Sequence, residues 1–183
     1  VDEIVQEFHL DEPMHTRYLL WLSDAVRGDL GRSAIQGQPV SEVIANAAPT
    51  SLQLMLYAQV LALSVAVPAG VYAAYKANRR GDRITSTFAL AALSIPNFVL
   101  AVVLILFFAL GGIRTGDTSL GSEWLPAARY VPFGQDPVEH FRHMVLPAIA
   151  LALGQAAGYM RILRSDMIGT LQEDYITMAK AKG

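Results

Sequence analysis

Leu52-Gln53-Leu54-Met55-Leu56-Tyr57-Ala58-Gln59-Val60-Leu61-Ala62-Leu63-Ser64-Val65-Ala66-Val67-Pro68-Ala69-Gly70-Val71-Tyr72-Ala73-Ala74 is a run of twenty-three residues without a charge. The uncharged stretch is longer still, from Val43 to Tyr75. As a helix, those twenty-three residues would extend ~35 Å, enough to cross the ~30 Å hydrocarbon core of a bilayer. A helix keeps its backbone hydrogen bonds within itself, which the bilayer interior demands. Ala62, Ala66 and Gly70 stand four apart, a face of small residues that allows close helix packing. Pro68 is a candidate kink, and Gln59 is an isolated polar residue. A hydrogen bond to a neighbouring helix explains Gln59 more simply than a substrate contact.

Working outward, Lys76, Arg79, Arg80 and Arg83 follow the span with only Asp82 opposing them. The positive-inside rule places this loop, residues 76–83, in the cytoplasm and residues 1–51 outside. Residues 1–50 hold eight Asp or Glu against three Arg. Phe8, Leu10, Tyr18, Leu19, Trp21 and Leu22 suit short helices anchored at the membrane surface. Arg27-Gly28-Asp29 is an adhesion triplet, but three residues carry almost no information; the glycines at 28 and 31 suit turns.

From Ile84 to Ile113 no charge occurs, and Ser94-Ile95-Pro96-Asn97 interrupts the run. Proline removes a backbone donor and restrains the residue before it, so a kink or break is expected near Pro96. The expected transmembrane segment is 84–112, with the span itself over about Phe88–Leu110. Ser94 and Asn97 either line a pathway or simply satisfy the kink.

Residues 113–143 carry four acids and three arginines, which suits an outside loop. His140 and His143 share a helix face, but two histidines do not make a metal site, and none is expected. Residues 144–163 form the third expected span. It is short of twenty uncharged residues, and Arg161 and Arg164 can snorkel. Ala150, Gly154 and Gly158 predict a tight helix contact. Residues 164–183 return to the cytoplasm. There Met167, Leu171, Tyr175 and Met178 fall on one face of an amphipathic helix.

The composition fits this topology: 53% of residues are hydrophobic and 16% charged. A net charge of −2 without a basic tract argues against nucleic acid. There is no cysteine and hence no disulfide or thiol chemistry. No Gly-x-x-x-x-Gly-Lys-(Ser/Thr) occurs, so the chain is not expected to hydrolyse nucleotide. Gly-x-Ser-x-Gly and His-Glu-x-x-His are also absent, and no catalytic residue is assigned. Acids lie outside the expected spans, which argues against a proton-coupled pump.

Four blocks, in order, resemble one family. Leu10-Asp11-x-Pro13, Tyr18-x-x-Trp21-Leu22 and Gly28-Asp29-Leu30-Gly31-x-Ser33 resemble the segment after the first membrane helix of peptide permeases. Leu93-Ser94-Ile95-Pro96-Asn97-Phe98-Val99-Leu100-Ala101 is similar to that family's Ser-Ile-Pro-(Ser/Asn)-Phe run, and Val145-Leu146-Pro147-Ala148 is similar to a third block. Asp174-Tyr175-Ile176-Thr177-Met178-Ala179-Lys180-Ala181-Lys182-Gly183 resembles the cytoplasmic signature loop of ABC importer permeases, closest to the dipeptide/oligopeptide/nickel branch. In the wider superfamily the loop reads Glu-Ala-Ala, three residues, then Gly. Here Thr177-Met178-Ala179 and Gly183 take those places, and only Ala179 and Gly183 keep the letters.

The resemblance implies an all-α polytopic helical bundle, with one further membrane helix before Val1 and two after Gly183. It implies a permease subunit of an ATP-driven importer of di- or oligopeptides in a bacterial or archaeal inner membrane. Nickel or glutathione uptake fits the same motifs. The implied partners are a second permease, two ATPase subunits that bind ATP-Mg, and an extracytoplasmic substrate-binding protein. No cofactor is expected on this chain. The implied ATPase contact is Glu173, Asp174, Tyr175, Thr177, Ala179, Ala181, Lys182 and Gly183, where small residues permit close docking and Lys182 offers a charge. Candidates for the translocation path are Ser94, Asn97 and Gln155. A secondary transporter, or a receptor or adhesin working through residues 1–50, would need no ATPase contact.

Overall fold

A computed structural model describes residues 12–33, 37–111, 114–115, 118–119 and 124–182, with backbone alone at 114–115, 118–119, 177 and 180. Among the described residues the regular elements are helices and one antiparallel strand pair of two residues each, Arg114–Thr115 (β1) and Thr118–Ser119 (β2). It divides into two compact units, Val1–Leu52 and Gln53–Gly183.

In the first unit, α1 (Met14–Val26) buries no residue. Its end is built by Gly28, whose φ of 91° follows Arg27 at the C-cap. The Gly28 N–H donates to the Ala25 carbonyl and the Asp29 N–H to that of Asp24, closing a Schellman motif. Asp29 Oδ1 then accepts from the Gly31 N–H at 2.9 Å, and Arg32 bridges to Pro39. The glycine spacing of 28–33 is therefore turn chemistry. Phe8, Leu10 and Asp11 lie outside the described residues.

Helix α2 (Val40–Tyr75) begins twelve residues before the expected span start at 52. It passes through Pro68 without a break in the helix. A turn at 76–79, with Asn78 in the left-handed region at φ 63°, leads into α3 (Arg80–Ser94). Helix α4 (Asn97–Phe108) follows a break at Ile95-Pro96, and the two arms are bent by 97°. The break falls inside the Phe88–Leu110 run, at the proline where a kink or break is expected. Helix α5 (Pro137–Thr170) starts seven residues before 144. Asp136 caps it, its Oδ1 accepting from the Val138 and Glu139 N–H groups, with Pro137 at the first turn. A three-residue turn separates α5 from α6 (Asp174–Ala181). Because Glu173 is extended at ψ 147°, Met167 and Leu171 do not continue the face of Tyr175 and Met178.

Among the described residues, α2 and α5 are long and apolar enough to cross a membrane, and the bent α3–α4 pair makes a third candidate if counted as one span.

The core of the second unit is made of alanine. Ala58, Ala62 and Ala66 of α2, Ala89 of α3, and Ala152, Ala156, Ala157 and Met160 of α5 bury together. With so little side chain between them, backbones approach closely and dispersion contacts hold the helices. Two residues set the direction. Tyr57 meets His140, and Gly70 meets Met160 and Leu163, so α2 and α5 run side by side in parallel. A Cβ on Gly70 would sit 3.1 Å from the Met160 carbonyl oxygen. Of the expected Ala150/Gly154/Gly158 face, Ala150 is buried but Gly158 is open, a Cβ there meeting nothing within 4 Å, and the face of α5 in the core is Ala152/Ala156. Gly154 instead leaves room for Asn97, whose Oδ1 would lie 3.3 Å from a Cβ there.

Candidate functional site

Helix α6 is eight residues long and begins with Asp174 in its first turn, a favourable charge at a helix N-terminus. Tyr175, Met178, Ala179 and Lys182 follow the i, i+3, i+4, i+7 pattern and so lie on one face. All four are exposed, Tyr175 at 54% and Met178 at 61%. Ile176 points elsewhere and is half-buried. Glu173, Asp174 and Ala181 are also exposed. The side chain of Thr177 and all of Gly183 lie outside the described residues. The exposed face therefore combines an aromatic ring, a flexible thioether, a small residue and a cation. Met178 belongs to this face as fully as the residues expected from the motif.

Ser94 and Asn97 stand on either side of the break between α3 and α4, and Asn97 touches Gly154, the residue before Gln155. Ser94 donates from Oγ to the Leu90 carbonyl at 2.8 Å, which satisfies the hydroxyl within its own helix at the break. Asn97 opens α4 and is exposed, with its amide oxygen against Gly154 of α5. Gln155, the next residue on α5, is half-buried. Of the three, Ser94 has the structural explanation, while Asn97 meets α5 at Gly154.

Two polar clusters were not legible from local sequence. The first centres on Asp82, which is 3% exposed. Its Oδ1 accepts from Arg164 Nε at 2.5 Å and its Oδ2 from Arg164 Nη2 at 2.7 Å. Oδ2 also accepts from the Asn78 N–H at 2.8 Å, and Oδ1 from the Ser86 hydroxyl at 3.3 Å. Arg164, expected to snorkel, instead pairs side-on with a carboxylate. The second cluster centres on His140, which is fully buried. Its Nδ1–H donates to the Val131 carbonyl at 2.6 Å, which leaves Nε2 to accept from the Tyr57 hydroxyl at 3.1 Å. Rings of Tyr57, Tyr130, Phe133 and Phe141 pack against it at 5.6–5.8 Å between centroids. Both nitrogens are thus engaged. Nearby, His143 Nδ1 contacts the Glu139 carbonyl, and no group of three or more potential metal ligands occurs among the described residues. Gln59, the lone polar residue of the first run, accepts from the Tyr159 hydroxyl of α5 at 3.2 Å, the helix-to-helix bond expected.

Compared with known families, residues 66–183 match the binding-protein-dependent transport system inner membrane component. The chain belongs to this family. It is 33% identical over its whole length to a probable peptide ABC transporter permease protein of Sinorhizobium fredii. The corresponding values are 33% for an oligopeptide transport system permease protein of Bacillus subtilis and 35% for one of Mycobacterium bovis. The chain spans about half the length of these curated relatives, 55% to 56%. As an inner-membrane component of this family, it contributes membrane helices, and the match includes the whole of α6.

Proposed function

We propose that the chain is part of a permease subunit of an ATP-driven peptide importer, and that α6 is the element that seats on an ATPase subunit. The carrying observation is the exposed face of Tyr175, Met178, Ala179 and Lys182 on a short helix just beyond a long apolar one. An apolar and cationic strip of this size fits a cleft that accepts a ring and offers an acid to Lys182. The peptide relatives support the cargo class. The remaining partners in this reading are a second permease, a second ATPase and an extracytoplasmic binding protein, with ATP-Mg held by the ATPases. Residues 76–83 and α6 then face the cytoplasm, and residues 1–51 and the loop before α5 face the binding protein. ATP-driven closure of the ATPases moves α6, and that rigid-body movement opens and closes the path between the permeases.

The test uses the full-length parent in its assembled complex. A cysteine at Ala181 and one in the ATPase cleft are tested for crosslinking with and without ATP. A nucleotide-sensitive crosslink is expected. No crosslink at 181 or its neighbours, with all subunits present and folded, would refute the importer reading and favour a secondary transporter.

A further inference from the structure

Asp82 connects three elements with one carboxylate. It lies in the first turn of α3, it accepts the backbone N–H of Asn78 in the α2–α3 turn, and it takes both Nε and Nη2 of Arg164 on α5. Arg164 stands six residues before the end of α5 at Thr170, with only the three-residue turn between that end and α6. Two further close approaches flank the pair. Gly70 of α2 lies against Met160 and Leu163, one residue from Arg164. Gly81, next to Asp82, is covered by the Tyr72 ring, whose hydroxyl would be 2.6 Å from a Cβ at that position. Elsewhere the buried contact between these helices is mostly alanine, and the two other side-chain bonds from α2 to α5, Tyr57 to His140 and Gln59 to Tyr159, are between uncharged groups.

We propose that the Asp82–Arg164 pair is a positioning joint that makes the end of α5 and the α2–α3 turn move as one piece when α6 is displaced. The inference rests on the reading of α6 as the ATPase contact. The physical reason is directionality. Alanine faces resist separation but resist rotation and sliding weakly, because small side chains present shallow relief. A side-on guanidinium–carboxylate pair fixes both distance and plane. Its carboxylate is also held by Asn78 and Ser86, so it cannot swing to follow Arg164 without losing those bonds. Displacement of α5 is therefore passed to α2 and α3 at the end nearest α6, instead of being lost as slip along the alanine faces. In this proposal Asp82 and Arg164 act by position, through the elements they join.

Spin labels are placed at Lys76→Cys and Gln172→Cys, both exposed, in a cysteine-free background of the full-length assembled transporter. Label-to-label distance distributions are recorded with and without ATP, alongside peptide uptake and ATP hydrolysis. In the parent the distribution stays narrow and keeps its centre in both states. In Asp82→Asn and in Arg164→Gln it broadens, and uptake per ATP falls roughly ten-fold, while the crosslink at Ala181 persists. The exchange Asp82→Arg with Arg164→Asp restores part of the uptake. Asp82→Glu serves as the gentler variant should the first two fail to assemble; it keeps the charge and shifts the geometry, and it also broadens the distribution. Unchanged distributions in an assembled variant would overturn the joint, as would full coupling without the pair. Loss of the Ala181 crosslink in the parent would instead refute the α6 reading itself, so the two failures are told apart.

Discussion

Gly70 and Gly158 are both helical glycines that sequence alone treats alike, yet their surroundings differ. Gly70 sits against the Met160 carbonyl, which cannot move aside, and Leu163; Gly158 faces open space. We expect Gly70→Val to lower stability by ~1–3 kcal/mol through overpacking and Gly158→Ala to change it by less than about 0.5 kcal/mol. Thermal unfolding of the purified full-length protein compares the two. His140 gives a second expectation. His140→Phe keeps the ring packing but leaves the Val131 carbonyl and the Tyr57 hydroxyl without their partner. A loss of about 1–3 kcal/mol is expected, read as earlier unfolding and faster proteolysis of the 124–136 loop. None of this was visible locally. Tyr57 is 83 residues from His140, and Arg164 is 82 from Asp82. Periodicity reports which face is apolar; it does not report which distant residue meets it.

Helices were easier to find than their ends. The apolar runs at 52–75 and 144–163 are both inside helices, but those helices extend outward to Val40 and Pro137. Asp136-Pro137 is a readable start signal, a capping acid followed by a proline at the first turn. Both residues lie outside the uncharged run that marks the span. Pro96 announced a break but not its angle. The 97° bend reflects where the two arms rest: Ala89 packs with Ala156 and Ala157, while Asn97 reaches Gly154. At the other end, the turn at 171–173 came without a glycine or proline to signal it, so one continuous face was expected where two helices exist. For α6 the face itself can be tested. Tyr175→Ala and Met178→Ala are each expected to weaken the proposed ATPase crosslink several-fold, because each removes an exposed apolar group from the proposed contact strip. The unfolding midpoint should not move, since neither side chain is buried. An equal loss from a change at Gln172, in the turn, would argue that the whole segment docks without a preferred face.

For the whole molecule, the strongest consequence of the reading is sidedness. In the proposed topology the loop carrying Lys76, Arg79, Arg80 and Arg83 and the segment before α5 lie on opposite sides of the membrane. Single cysteines at Lys76 and Arg129 are expected to react with a membrane-impermeant maleimide from opposite faces of sealed vesicles. Labelling of both from one side would reject the topology. The sequence carried the class of the fold because hydrophobic length and charge asymmetry are properties of the run itself. It did not carry the clusters at Asp82 and His140 because each depends on parallel helices coming into register.

The alanine interface has one more consequence. Along α2 and α5 the buried middle of the contact is alanine, while it is fastened by Tyr57 to His140 and Gln59 to Tyr159 on one side and by Asp82 to Arg164 beside Gly70 at the other end. A smooth shaft pinned at both ends cannot travel along its neighbour, but it can twist between the pins. Torque applied at α6 would thus be felt as torsion along the pair, greatest midway, where the Asn97–Gly154 contact holds the bent arm α4.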